Sequence, residues 1–304
     1  MPGYDRIGRA NPFPLVIFSP VRGDDGRGTV HRSMTTPTAP LPADRFLRLG
    51  RTLLGASVWA SALVFGCYIL VFYALGYLGG SPERWNTVLP GLYDPDNVGS
   101  TAGIALHFLA GGLILVLGCL QLLGGVRRRH PRVHRWSGRV YVCACVLAAL
   151  GGLAFIALKG TVGGPVMDVG FAGYGLLMLL AAVQTVRFAR RSDTARHRAW
   201  ALRLFALAIG SWLYRIDYGL YIGLGGEGGH TEDFRGWFDR LMSFWFYLPN
   251  LVVVEIVLAE REVFRRTWAR VAGGVALLAT NALVLFASFF FVRDYWGPGI
   301  LGGL

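Results

Sequence analysis

This sequence is short of charge. Only 16% of its 304 residues are Asp, Glu, Lys or Arg, where a soluble domain carries about 25%. Cysteine is scarce too, and Cys67, Cys119, Cys143 and Cys145 all fall inside apolar runs. A disulfide framework is therefore not expected. Cys143 and Cys145 are two apart on a helix, point to different faces, and read as small packing residues. Several chemical signatures are missing: Cys-x-x-Cys-His for covalent haem, a Walker loop, a Gly-x-Ser-x-Gly elbow and His-Glu-x-x-His. The run from Gly225 to His230 reads as a flexible loop, not a phosphate cradle.

Apolar residues make up 54% of the chain, and mean hydropathy is +0.46. They come in uninterrupted blocks, and a helix crosses a bilayer with about 20 such residues. The expected fold is an all-α integral membrane protein with seven transmembrane helices. The expected spans are Leu53–Tyr77, Ser100–Gly124, Arg139–Leu158, Val166–Val186, Ala199–Ile222, Leu241–Ala259 and Val271–Val292. Pro249 is expected to kink the sixth. Residues 1–48, rich in Pro, Gly, Arg and Thr without periodicity, read as a disordered cytoplasmic tail, and translation starting at Met34 is one reading of them. Residues 49–98 hold the first span and a polar loop, and 99–222 hold spans two to five as a four-helix core. Residues 223–304 hold a second loop and the last two spans.

Net charge is +12, and the Arg residues that produce it sit in short loops. Arg127, Arg128, Arg129 and Arg132 join spans two and three. Arg187, Arg190, Arg191 and Arg196 join four and five, and Arg261, Arg265, Arg266 and Arg270 join six and seven. The positive-inside rule places these loops and the N-terminus in the cytoplasm and the C-terminus outside, in a bacterial cytoplasmic membrane. The partners this charge implies are anionic lipid headgroups, not nucleic acid.

Polar residues within the membrane carry the functional information. Gln121 is followed thirteen positions later by His134-Arg135, and Gln184 thirteen positions later by His197-Arg198. Each Gln lies near the end of one apolar run and each His-Arg opens the next, as if one helical hairpin were used twice. If a pseudo-twofold axis relates the hairpins, His134 and His197 meet near the cytoplasmic boundary. Paired imidazoles on facing helices are what bis-His ligation of b-type haem requires, with Arg135, Arg139 and Arg203 beside them for the propionates. The same groups would suit a phosphate or lipid headgroup, or serve as interfacial anchors. Gly103, His107, Gly111, Gly118 and Gln121 share one face of span two, with His107 about 21 Å from Gln121. Small residues beside His107 either admit a flat ligand or let helices pack closely. Near the outer side, His107, Asp168, Arg215, Asp217 and Tyr218 form a candidate polar cluster, since charges at membrane depth must pair or face water.

The pattern His107…Gln121…His134-Arg135-x-x-Gly138-Arg139-x-Tyr141…His197-Arg198-x-Trp200-x-x-Arg203…Arg215 resembles a family of bacterial polytopic membrane proteins catalogued only as a domain of unknown function. The likeness covers about residues 100–220. It implies the four-helix core and this choice of residues, but no reaction. Three readings stay open: a haem-binding redox or redox-accessory protein, a transporter or small-molecule binder using the outer cluster, and a structural subunit of a membrane complex.

Overall fold

The computed structural model describes residues 42–226, 228–259 and 266–302. Most of the expected tail, Met34, Glu227, Arg261 and Arg265 lie outside them. The described residues form helices and loops, with no strand among them. Helix α1 is Pro42–Tyr68, so residues 42–48 are helical rather than part of the tail, and a π-helical stretch, Ile69–Leu75, extends it. Then come α2 Val98–Leu122, the short α3 Gly124–Arg129, α4 Pro131–Lys159 and α5 Pro165–Arg190. They are followed by α6 Thr194–Ala208, α7 Gly210–Gly223, α8 Trp237–Trp245, α9 Leu248–Leu258 and α10 Thr267–Phe291. Six helical stretches are long and apolar enough to cross a membrane: Pro42–Leu78, Val98–Leu122, Pro131–Lys159, Pro165–Arg190, Trp237–Leu258 and Thr267–Leu301. The protein is a multi-pass, membrane-embedded helical protein.

Local chemistry sets the helix ends. Asn97 Oδ1 accepts from Ser100 N at 3.0 Å to start α2, and Asp193 Oδ1 accepts from Arg196 N at 3.0 Å to start α6. Pro131 and Pro165 open α4 and α5, where a missing N–H costs nothing. The expected fifth span is interrupted. The Tyr174 hydroxyl donates to Leu207 O at 2.6 Å, and its ring lies against Gly210, so the chain pauses at Ile209 between α6 and α7. Neither half alone reaches spanning length. The kink expected at Pro249 shows as a break at Phe246–Tyr247, where the Asn250 side chain donates to Phe246 O at 2.7 Å.

Helices α2, α4, α5 and α6 close a four-membered ring in which each packs on the next and α6 returns to α2. Its interior is built from small and medium residues: Ala110 and Ile114 from α2, Ala144, Cys145 and Ala148 from α4, Ala181 and Ala182 from α5, and Leu204 and Leu207 from α6. At the α2–α4 crossing Gly103 meets Gly151, and a Cβ on Gly151 would lie 2.5 Å from Gly103 O. On the Gly103 side of His107 the glycine face is thus filled by α4, whereas at Gly111 it stays open.

Helices α1 and α10 pair beside this ring and run parallel. Asp44 meets Arg270 at 3.1 Å, Gly50 lies against Leu277, and Ser61 Oγ bonds Ser288 Oγ at 2.6 Å. Trp212 Nε1 donates to Ser61 Oγ at 2.8 Å, which ties α7 to the pair. The bundle has a basic end, where α2 and α5 finish and α4 and α6 start among Arg residues, and a far end opposite.

Candidate functional site

At the basic end the two histidines sit on diagonal members of the ring, His134 in the first turns of α4 and His197 in the first turn of α6. They are near enough to interact electrostatically. Their fixings differ. His197 Nδ1 lies 3.0 Å from Thr185 O, and an N–H donated to a carbonyl sets the tautomer and leaves Nε2 free. His134 Nδ1 is buried with no partner among the described residues, a condition that costs about 1–3 kcal/mol unless a ligand relieves it. Gln121 Nε2 donates to Ser137 Oγ at 2.7 Å, and Ser137 donates to Val133 O at 2.7 Å. Gln184 accepts from Arg187 at 3.5 Å. The Tyr141 ring packs inward against Gly118.

The arginines divide. Arg203 forms a two-pronged ion pair with Glu255, Nε to Oε1 at 2.7 Å and Nη2 to Oε2 at 2.9 Å. Glu255 is thereby committed to α6, and Arg203 is not free for another anion. Arg139 stacks on Trp136. Arg135, Arg139 and Arg198 form no ion pair with a carboxylate among the described residues. No group of three or more His, Cys, Asp or Glu among the described residues could hold a metal ion, so any metal at this end would rest on the two imidazoles.

Of the residues read as one outer cluster, His107 and Arg215 lie near enough to interact electrostatically, while Asp168 and Tyr218 turn to other partners. His107 Nδ1 sits 2.8 Å from Ala148 O, and its ring faces Gly152. Arg215 donates to Ser211 O at 3.0 Å and stacks 4.7 Å from the centre of the Phe65 ring, close to Tyr73. Asp168 accepts from Thr161 N at 2.6 Å and Thr161 Oγ1 at 2.7 Å, and so caps the α4–α5 loop. The Asp217 side chain has neither an ion pair nor a hydrogen bond among the described residues.

Tyr218 belongs to a group that sequence reasoning missed. Asp239, fully buried, accepts from Tyr218 at 2.6 Å, His230 Nδ1 at 2.8 Å, Thr231 N at 3.1 Å and Gly236 N at 3.0 Å. Tyr214 donates to Tyr218 at 3.2 Å. This carboxylate fastens the glycine-rich loop onto α8. The usable signal was an Asp three residues into a helix after Gly236. Also at the far end, Lys159 Nζ meets Asp94 Oδ2 at 2.6 Å, and this hydrogen bond holds the Asp94 carboxyl below the usual carboxylate range.

A family model described as "Predicted membrane protein (DUF2306)" matches residues 104–258, just over half of the chain. The chain belongs to the DUF2306 family. The DUF2306 match contains the whole four-helix ring except the first residues of α2, and it extends past residue 220 through the Asp239 loop, α8 and α9. Helices α1 and α10 flank the DUF2306 stretch on either side in sequence. No curated protein and no solved structure matches the chain.

Proposed function

We propose that this DUF2306 protein is a bacterial membrane redox or redox-accessory protein that holds b-type haem at the basic end of its ring, between His134 and His197. One observation carries the reading. Two imidazoles start diagonal helices at the same end, one with its Nδ1 fixed on Thr185 O and the other with a buried Nδ1 that has no protein partner. Two imidazoles at one end could together hold the iron of a b-type haem. Arg135, Arg139 and Arg198 would hold the propionates, and Arg203, occupied by Glu255, would not. Gln121, Gln184 and Tyr141 would border the site. Bound haem would supply one-electron chemistry, and this chain would supply two imidazole nitrogens, counter-charges and shelter from lipid.

The topology that goes with this reading has seven crossings, with α6 and α7 together as the fifth. The N-terminus is cytoplasmic, the C-terminus outside, and the basic loops lie against anionic headgroups of the cytoplasmic membrane. It is supported by the parallel pairing of α1 with α10, since an even number of intervening turns is needed to bring two spans parallel.

The test is an absorption spectrum of protein purified from haem-replete cells. A Soret band is expected, with most of it lost in the His134→Ala, His197→Ala double variant. A colourless preparation would refute the proposal.

A second reading, a binding or transport site for a small anionic molecule, is favoured by Arg215 and Asp217, neither of which has an ionic partner among the described residues. Binding that disappears in Arg215→Gln while the basic-end variants keep it would support that reading.

A further inference from the structure

We infer that the outward face of α4, at the basic end, is a docking site for one anionic glycerophospholipid. Its phosphate lies on Arg132, Arg139 and the Trp136 indole N–H, and an acyl chain runs along Cys143, Leu147 and Leu150. The site needs neither the histidine pair nor any particular orientation of the chain in the membrane.

Charge balance is the first argument. From residue 97 to residue 167 the sequence holds no Asp or Glu. The same stretch carries Arg127, Arg128, Arg129, Arg132, Arg135 and Arg139, and none of them forms an ion pair with a carboxylate among the described residues. The second hairpin is answered from within the protein: Arg196 has Asp193 at 3.6 Å and Arg203 has Glu255 at 2.7 Å. In the first, Arg135 stands three residues after Arg132 and four before Arg139, and like charges at those spacings oppose the helix that carries them. The missing counter-charge has to come from outside the chain. At the end of a membrane-spanning helix the anion at hand is a lipid phosphate.

The face also grades from cation to hydrocarbon, as a lipid does. Arg132, Trp136, Arg139, Cys143 and Leu150 follow at i, i+4, i+7, i+11 and i+18, so they share one side of α4. All five are exposed, whereas Tyr141, Cys145 and Ala148 on the opposite side are buried in the ring. Trp136 is 66% exposed, and Arg139 stacks 5.0 Å from the centre of its ring. The guanidinium is thereby drawn back toward the interface, away from the apolar part of the helix. The Trp136 N–H has no partner among the described residues. Guanidinium and indole donors suit phosphate oxygens, and the exposed Cys143, Leu147 and Leu150 beyond them offer only apolar contact. Because Arg139 leans outward over Trp136, Arg135 and Arg198 remain for the histidine pair.

The experiment places the full chain in phosphatidylcholine vesicles with a trace of phosphatidylglycerol that carries a photoreactive diazirine in its acyl chain. Adducts, mapped by peptide mass, are expected to concentrate on residues 136–150. Unlabelled phosphatidylglycerol should compete them away, and extra phosphatidylcholine should not. Each arginine removed is expected to lower labelling about fivefold, so the Arg132→Gln, Arg139→Gln double variant should lose about 25-fold. The Arg190→Gln, Arg191→Gln double variant removes the same charge from the other hairpin and should leave labelling nearly unchanged. All four arginines are exposed, and unaltered melting temperatures will show that both variants fold. Equal losses from the two double variants would mean diffuse attraction to the surface and would overturn the site. So would adducts spread evenly onto Leu176 and Val183, exposed on α5, which is the mark of ordinary surrounding lipid. Crosslinks from residues 136–150 to a second copy of the chain would overturn it in favour of a protein partner.

Discussion

At the residue scale the buried carboxylate at the far end is the most consequential side chain outside the histidine pair. Asp239 collects donors from a tyrosine, a histidine and two backbone amides. Removing it leaves all of them without their shared acceptor. Asp239→Ala is expected to destabilise the protein by about 3 kcal/mol or more, and Tyr218→Phe by about 1 kcal/mol, read as thermal unfolding in detergent. Equal effects of the two would contradict the central role of the carboxylate. The Lys159–Asp94 pair is exposed and answers to pH instead. Its carboxyl titrates below 3.8 in the folded protein. The pair therefore contributes fully above that value and fades as pH falls through and below it. The melting-temperature difference between wild type and Lys159→Met should be present at pH 6 and shrink below about pH 4. These two sites also show what a sequence can reveal at this scale. The histidine pair was legible because its thirteen-residue spacing recurs. The partners of Asp239 and Arg203 were not, since Tyr218 and Glu255 lie 21 and 52 positions away and only the folded chain brings them close.

At the scale of helices, close approach depends on two glycines. Gly151 faces Gly103 O across the α2–α4 crossing with no room for a Cβ, whereas a Cβ on Gly111 would meet nothing within 4 Å. Gly151→Val is expected to cost about 1–3 kcal/mol through helix separation. Gly111→Ala should be neutral or slightly stabilising. Thermal melts of the two variants check both, and a Gly151→Val protein as stable as wild type would mean the crossing is loose. The spans were legible from hydropathy alone because bilayer thickness sets their length. The interruption at Ile209 was not, because its cause is Tyr174, on a different helix, donating to Leu207 O. The glycine face of α2 was visible too, but its two meanings could be separated only by finding α4 lying on it.

At the scale of the whole molecule, the question is which surfaces share a side of the membrane. Cysteine placed at Arg128, between α2 and α4, and at Gly228, between α7 and α8, should be labelled by an impermeant maleimide from opposite sides of sealed vesicles. Labelling of both from one side would break the seven-crossing topology. The sequence carried the four-helix ring and its basic end, because both follow from apolar length and loop charge. It did not carry the association of the first and last spans, which depends on three polar atoms on separate helices.

That association has a temporal meaning. Ser61, Trp212 and Ser288 complete one another across 227 residues of chain. A ribosome still holding the last helix therefore leaves the Ser61 hydroxyl without its Ser288 partner. The ring can assemble early, but the protein is finished only when its final segment arrives, and an incompletely made copy carries an exposed polar mark that membrane quality control can read.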